Sequence, residues 1–441
     1  MKRLIREKFY MRIVSFLLIL HLSNELIFAQ SLTDDLAYQV DTYLKSDRFQ
    51  EAFELLERVT NDNPTDNNEA RQQIVSHYVQ LIRETNYRND GLAAYNICQT
   101  ARSHFPKESS ILTQWGKAAL AIGKDQKEVL DAIASSLLST GNENSDPELT
   151  ALYQTALGLT LTNQLSDIVN NQPISKETTL RSAVANLEQA IQADPKWFLP
   201  HFFLGRAYIG QKKYPQAIQS YELGLKKNPR FVNHIDFVLL ASVYNDQKQY
   251  SKAKEVLTRT LEKFPNLPGV HYMLAQAEVG MGNPIEGYYQ ACYELFIGGS
   301  KGFFFPPAQG LNAELTRTYL TTEGKQKYPE LWSCLEAFRL ETMGQIAQAI
   351  PLFEQAIASR STPHPMLHLF LGEAYMQTHD HKKAIEHLKK VIELDPAFPP
   401  AYVEIGDLFK ETGDLAQAKL WWEKARKIDP NNWKVKQIPN V

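Results

Sequence analysis

The residues best equipped for chemistry are in THDHKKAIEH at 378–387. His379, His381 and His387, with Asp380 beside them, are the donor types of a zinc site, whose ligands must converge at about 2.1 Å. The spacing does not enforce that convergence. His379 and His381 fall in a turn between two predicted helices and His387 lies near the middle of the second, so a solvated turn is the reading and no metal is assigned. His364 and His368, near another helix start, are read the same way. Elsewhere the chain has no H-E-x-x-H, no G-x-x-x-x-G-K and no C-x-x-C. It is read as non-catalytic, without a cofactor.

Cys98, Cys292 and Cys334 are the only cysteines, an odd number at wide spacing. They make no disulfide framework. Each falls at an apolar-periodic position of a predicted helix, where a thiol acts as a small hydrophobe.

Residues 2–12 carry five basic side chains, followed by the apolar stretch Ile13–Leu22 and a small residue, Ala29. This is the order of an export signal, with cleavage expected after Ala29. About ten apolar residues span only half of a ~30 Å hydrocarbon core, so an uncleaved anchor is disfavoured. The whole chain has 47 Lys+Arg against 50 Asp+Glu, net −3. The leader holds five bases and two acids, so the processed chain carries −3 − 3 = −6. That balance offers no cationic field to a nucleic-acid backbone.

Positioning any site requires elements, and these come as a period. Leu371-Gly372, Tyr375, Ala384, Leu388 and Pro396 reappear 34 residues later as Ile405-Gly406, Phe409, Ala418, Trp422 and Pro430. Earlier copies read Leu204-Gly205, Tyr208, Ala217, Tyr221, Pro229 and Leu240-Ala241, Tyr244, Ala253, Leu257, Pro265. Weaker ones lie around Ala52, Ala94, Gly116, Ala183, Ala275 and Ala349, giving about ten units. Gly or Ala belongs where two helices cross closely, and Pro stops the second helix by disfavouring the α conformation in the residue before it.

This pattern resembles the tetratricopeptide repeat. The resemblance implies an all-α, right-handed superhelical solenoid of about ten helix pairs, whose first helices line an inner wall that holds a partner peptide or helix. The family's inward positions fall on Phe202, Arg206 and Ile209, on Val238, Ser242 and Asn245, and on Tyr272 and Gln276. A more acidic C-terminal wall follows through Leu369, Glu373, Met376, Val403, Asp407 and Lys410. The family's Lys and Asn clamp for a C-terminal carboxylate is not matched.

The organisation expected is a signal peptide (1–29), an N-terminal array (30–297) with a polar insert at 163–179, an insert at 298–329, a C-terminal array (330–430) and a tail (431–441). The second insert opens GGSKGFFFPPAQGLN, where the Pro pair is expected to break any helix. Phe303, Phe304 and Phe305 either tuck back onto the repeats or form a partner patch. The functional expectation is a non-catalytic protein–protein adaptor of a bacterial cell envelope, probed through its groove. The alternatives are a regulatory subunit or enzyme whose site the 298–329 insert completes, and a glycan-binding solenoid.

Overall fold

The computed structural model describes residues 36–62, 68–88, 90–124, 126–140, 146–163, 176–298 and 305–439. The leader, Phe303 and Phe304 lie outside that set, as does the side chain of Phe305. Every regular element among the described residues is helical, and none of these helices is long and apolar enough to cross a membrane. The chain forms two compact units divided between Phe231 and Val232, inside the span the sequence reads as one array.

In the first unit the pairs are α1 (36–45) with α2 (Phe49–Asp62), α3 (Asn68–Tyr87) with α4 (Gly91–His104), and α5 (Ser109–Ala121) with α6 (Gln126–Thr140). They continue with α7 (Pro147–Asn163) and α8 (Lys176–Ala193), then α9 (Leu199–Gly210) and α10 (Tyr214–Lys227). The second unit holds α11 (His234–Asp246), α12 (Tyr250–Lys263), α13 (Val270–Gly280) and α14 (Pro284–Gly298), then α15 (Phe305–Tyr319) and α16 (Thr322–Lys327). It ends with α17 (Pro329–Thr342), α18 (Ile346–Ala358), α19 (Pro365–Gln377), α20 (His381–Leu394), α21 (Pro399–Glu411) and α22 (Leu415–Ile428). Ten of these pairs match the sequence units, and α15–α16 is an addition.

The crossings are as tight as the small residues demand. A Cβ on Gly205 would lie 2.6 Å from Tyr221 Cε2, and one on Gly406 would lie 2.4 Å from Trp422 Cδ1. Ala217, Ala253, Ala384 and Ala418 on the facing helices are fully buried. The large residue of each second helix therefore occupies the space that the first helix leaves bare.

Among the described residues, eight hairpins turn through one residue in the left-handed region, which in the four clearest copies lies seven positions after the crossing residue. Lys212, Lys248 and His379 sit there with φ of 58°, and Gly413 with φ of 87°. The amide of the next residue then returns to the first helix, as Lys213 N does to Tyr208 O at 2.9 Å. His379 is thus a helix-ending residue, while Asp380 caps α20 by accepting from Lys383 N at 3.2 Å. His387 stacks on His368 and Tyr375 instead. Among the described residues no three His, Cys, Asp or Glu side chains are grouped to hold a metal.

Two local expectations are corrected. The polar insert expected through 179 gives way to helix at Lys176. The Pro306–Pro307 pair does not break structure but lies in the first turn of α15, where the missing amides would have had no helical partner. The three thiols are buried, as their helix positions imply. Burial pushes Cys292 and Cys334 up to about 12, which leaves them as unreactive thiols.

Burial of one imidazole has a consequence for acid stability. His201 is 5% exposed and its Nε2 has no hydrogen-bond partner. Burial, and then Lys227, push it down to about 4. The unfolded chain takes up this proton near the ordinary 6.5, the folded chain only near 4, so the stability it confers is complete above 6.5 and is lost as pH falls between those values. The melting temperature is expected to drop across that window, and to drop less in His201→Leu; equal slopes for the two proteins would contradict the assignment.

Candidate functional site

A cleft of about 400 Å³ opens on the first-helix side of the N-terminal unit, between the end of α3, the middle of α5, the start of α7 and the turn before α9. Gly116 on α5 faces Leu152 of α7, and the next residue, Lys117, is thereby aimed into the cleft. Its ammonium lies 2.8 Å from Glu148 Oε2 and 2.8 Å from Asp194 Oδ2. Gln114 Nε2 donates to Glu148 at 2.8 Å, and Arg83 pairs with the same carboxylate. Burial works to raise Glu148, but Lys117, Arg83 and Gln114 outweigh it and hold the carboxyl below its usual range. Trp197 floors the cleft, with Lys117 Nζ 5.1 Å from its ring centre.

The rim is accessible. Tyr87 is 50% exposed, and Arg83 and Lys196 reach solvent. Arg83, Lys117 and Lys196 are matched by Glu84, Glu148 and Asp194, so the lining has no net charge. Asn86, at the edge, keeps a buried Oδ1 without a partner. A polar chain laid in this cleft would meet both signs of charge, an amide oxygen and two aromatic faces. The sequence reading missed this set; the one available signal was the Trp115-Gly116 pair, which fixes where Lys117 points.

The wall positions carried over from the repeat pattern are distributed differently. Phe202 is corrected: it is fully buried, with ring centres at 6.1, 5.7 and 4.6 Å from Phe198, Tyr221 and Phe231. Residues from the flanking turns cover it, so it packs the hairpin and cannot meet a partner. Arg206 lies over the Phe203 ring at 5.0 Å and Ile209 is half-buried. In the second unit, Asn245 Nδ2 donates to Met273 O at 2.9 Å and fastens α11 to α13. Gln276 donates to the Tyr272 hydroxyl at 3.0 Å. Val238 and Tyr272 remain half-buried on that wall.

The C-terminal first-helix face is already occupied by α14. Tyr288 meets Phe338 of α17 and Phe370 of α19 at 6.3 and 6.5 Å, and Tyr293 meets Phe398, beside α21, at 5.2 Å. Tyr289 donates to Glu330 at 2.7 Å and Tyr293 to Asp395 at 2.7 Å. One helix thus lies across three consecutive repeats. At its far end Lys434 of the tail pairs with Glu404 of α21; burial works to lower the Lys434 pKa, but Glu404, Glu373 and Asp407 outweigh it and raise it. Burial, and then Glu404, push Glu373 well above the ordinary carboxylate range. Asp407 also accepts from Trp422 Nε1 at 3.0 Å.

A second unpredicted carboxylate is structural. Gly269 opens α13 with φ of 89° and has no side chain to cap it. Glu294 of α14 supplies the cap, both oxygens lying 2.9 Å from Gly269 N. Burial raises its pKa.

Comparison with known proteins agrees with this architecture. Three tetratricopeptide repeat family models match residues 237–267, 336–401 and 399–432, that is, α11–α12 and the run from α17 to α22. The TPR repeat-containing protein PA0015 of Pseudomonas aeruginosa is 29% identical over 70 residues, 16% of this chain and 67% of that protein. Among solved structures, the P58(IPK) TPR domain is 12% identical with a TM-score of 0.32, over 92% of this chain and 95% of its own. Yeast Tom70 is 12% identical with a TM-score of 0.28, over 92% and 94%. At those scores the fold stands on its own helix pairs. With small residues at the crossings, a common turn geometry and three matching models, residues 237–267 and 336–432 carry tetratricopeptide repeats.

Proposed function

We propose that this protein is a non-catalytic adaptor that holds an extended segment of a partner protein in the cleft beside Lys117, and that it acts in the bacterial cell envelope after removal of residues 1–29. The observation that carries the reading is the cleft itself, a preformed polar recess with aromatic walls on the first-helix side of a repeat array. Lys117 and its two carboxylates hold the shape without help from the ligand, so little ordering cost opposes binding. The basic, apolar and small-residue order of the leader supports export.

The test uses the processed chain as bait in envelope extract, beside a variant with Arg83→Ala, Tyr87→Ala and Lys196→Glu. These rim side chains are accessible, so the variant is expected to keep its melting temperature while recovery of the partner falls about tenfold or more, the effect of losing one or two contact anchors. Equal recovery by both baits removes the cleft from the binding surface. The amino terminus of the chain recovered from the envelope is expected at Gln30; an intact Met1 would refute processing.

A further inference from the structure

The cleft beside Lys117 is lined by many charges, but most of them are already engaged with one another. Glu148 Oε2 accepts from Gln114 and from Lys117, at 2.8 Å each, and its Oε1 accepts from Arg83. Asp194 Oδ2 accepts from Lys117 at 2.8 Å, and its Oδ1 accepts from the Lys196 amide at 3.2 Å. Lys117 and Arg83 therefore cancel Glu148 and Asp194, and both carboxylates are used through both oxygens. The Lys117 and Asp194 side chains are only 10% and 14% exposed. An ionic group from a partner would have to break this set, and stripping one member from a buried ion pair is costly.

What stays open is apolar, with one exception. Tyr87 is 50% exposed, Phe198 and Ala121 are half-buried, and all three line the recess. Arg83 and Lys196 add their methylene stems and leave two cations at the rim. The exception is Asn86 Oδ1, the one buried side-chain oxygen or nitrogen of the lining without a hydrogen-bond partner. Such an acceptor is destabilising until a donor reaches it.

The side chain that answers this recess is large, uncharged and aromatic, and it carries one donor. A ring pairs with the rings already there, and cations at the rim favour its π face. Lys or Arg would bring a donor but set a further cation beside Lys117, Arg83 and Lys196. Asp or Glu would set an acceptor against an acceptor, and Phe brings no donor. The indole N–H of Trp only donates, so it satisfies Asn86 and leaves nothing of its own unpaired.

We propose that the cleft seats a tryptophan of the partner segment, its ring against Tyr87 and its indole N–H donating to Asn86 Oδ1. The proposal rests on the cleft being the place where a partner segment is held. One anchoring side chain, rather than a run of charges, then selects the partner.

The test selects phage-displayed random peptides on the processed chain and discards those that Arg83→Ala/Tyr87→Ala/Lys196→Glu retains, so that only cleft binders are kept. Tryptophan is expected in most of them. One such peptide is then synthesised with Trp, with Phe, and with benzothienylalanine, which keeps the indole shape but replaces the N–H by sulfur. By titration calorimetry both replacements are expected to weaken binding about fivefold or more, the loss of a hydrogen bond to a buried acceptor. On Asn86→Leu the three peptides are expected to bind alike. Cleft binders that lack tryptophan overturn the proposal, as does equal binding of the Trp and benzothienylalanine peptides to the parent chain, and either result leaves the cleft as a partner site. If no peptide depends on the rim side chains, the proposal falls together with the cleft's role in holding a partner.

Discussion

Arg360→Ala is expected to destabilise the C-terminal unit by about 3–5 kcal/mol, the cost of stripping one partner from a buried ion pair. The guanidinium is 16% exposed and joins three separate parts of the unit. It lies 2.7 Å from Glu286 of α14 and 2.9 Å from Glu330 of α17, and its Nε donates to Thr362 O at 3.1 Å in the loop before α19. Burial opposes its charge, and Glu330 and Glu286 more than restore it, raising its pKa. Glu330 is 8% exposed and would be left with only the Tyr289 hydroxyl. His364 cannot substitute: it is 3.8 Å from Glu286, but burial, then Arg360, push it down to about 3, so it is neutral. Glu286 is about one-third exposed and its share of the loss is the smaller. Urea unfolding measures the effect, and Arg360→Met with Glu286→Gln and Glu330→Gln should recover most of it, since it leaves no buried charge unpaired. A single-variant loss below about 1 kcal/mol would show that this network does not hold the helices together.

Gly205→Leu should cost the N-terminal unit about 1–3 kcal/mol or more, because the added side chain begins 2.6 Å from an edge of the Tyr221 ring. Tyr221 is fully buried and stacks edge-on against Phe202, so the ring has no open side to retreat to. At about 2–4 °C per kcal/mol, the melting temperature should fall by several degrees. Gly310→Ala is the control, since nothing lies within 4 Å of the added carbon. If Gly205→Leu melts with the parent protein, the helix crossing is not where the repeat pattern puts it.

The repeat was legible because its determinants are local: a small residue at each crossing, a bulky one opposite it, and Pro after the second helix. Phe202 was misplaced because its periodicity describes one helix, whereas Phe198 and Phe231, which bury it, come from the turns on either side. The shared left-handed turn residue was hidden because Lys212, Lys248 and His379 bear no glycine signature. The position of α14 required knowing where α15 and α16 send the chain. Its only trace in the sequence is a helix with Tyr288, Tyr289, Tyr293 and Phe296 spread around it, too aromatic to leave one face in water. Lys434, in a tail past the last period, carried no pattern at all.

The double engagement of α14 removes the modularity that repeat arrays ordinarily enjoy. Because Phe338, Phe370 and Phe398 pack against it, a fragment cut out at residue 330 would bare a row of rings and stick to other copies of itself. Genetic shortening that parts α14 from α17, α19 and α21 is therefore not tolerated.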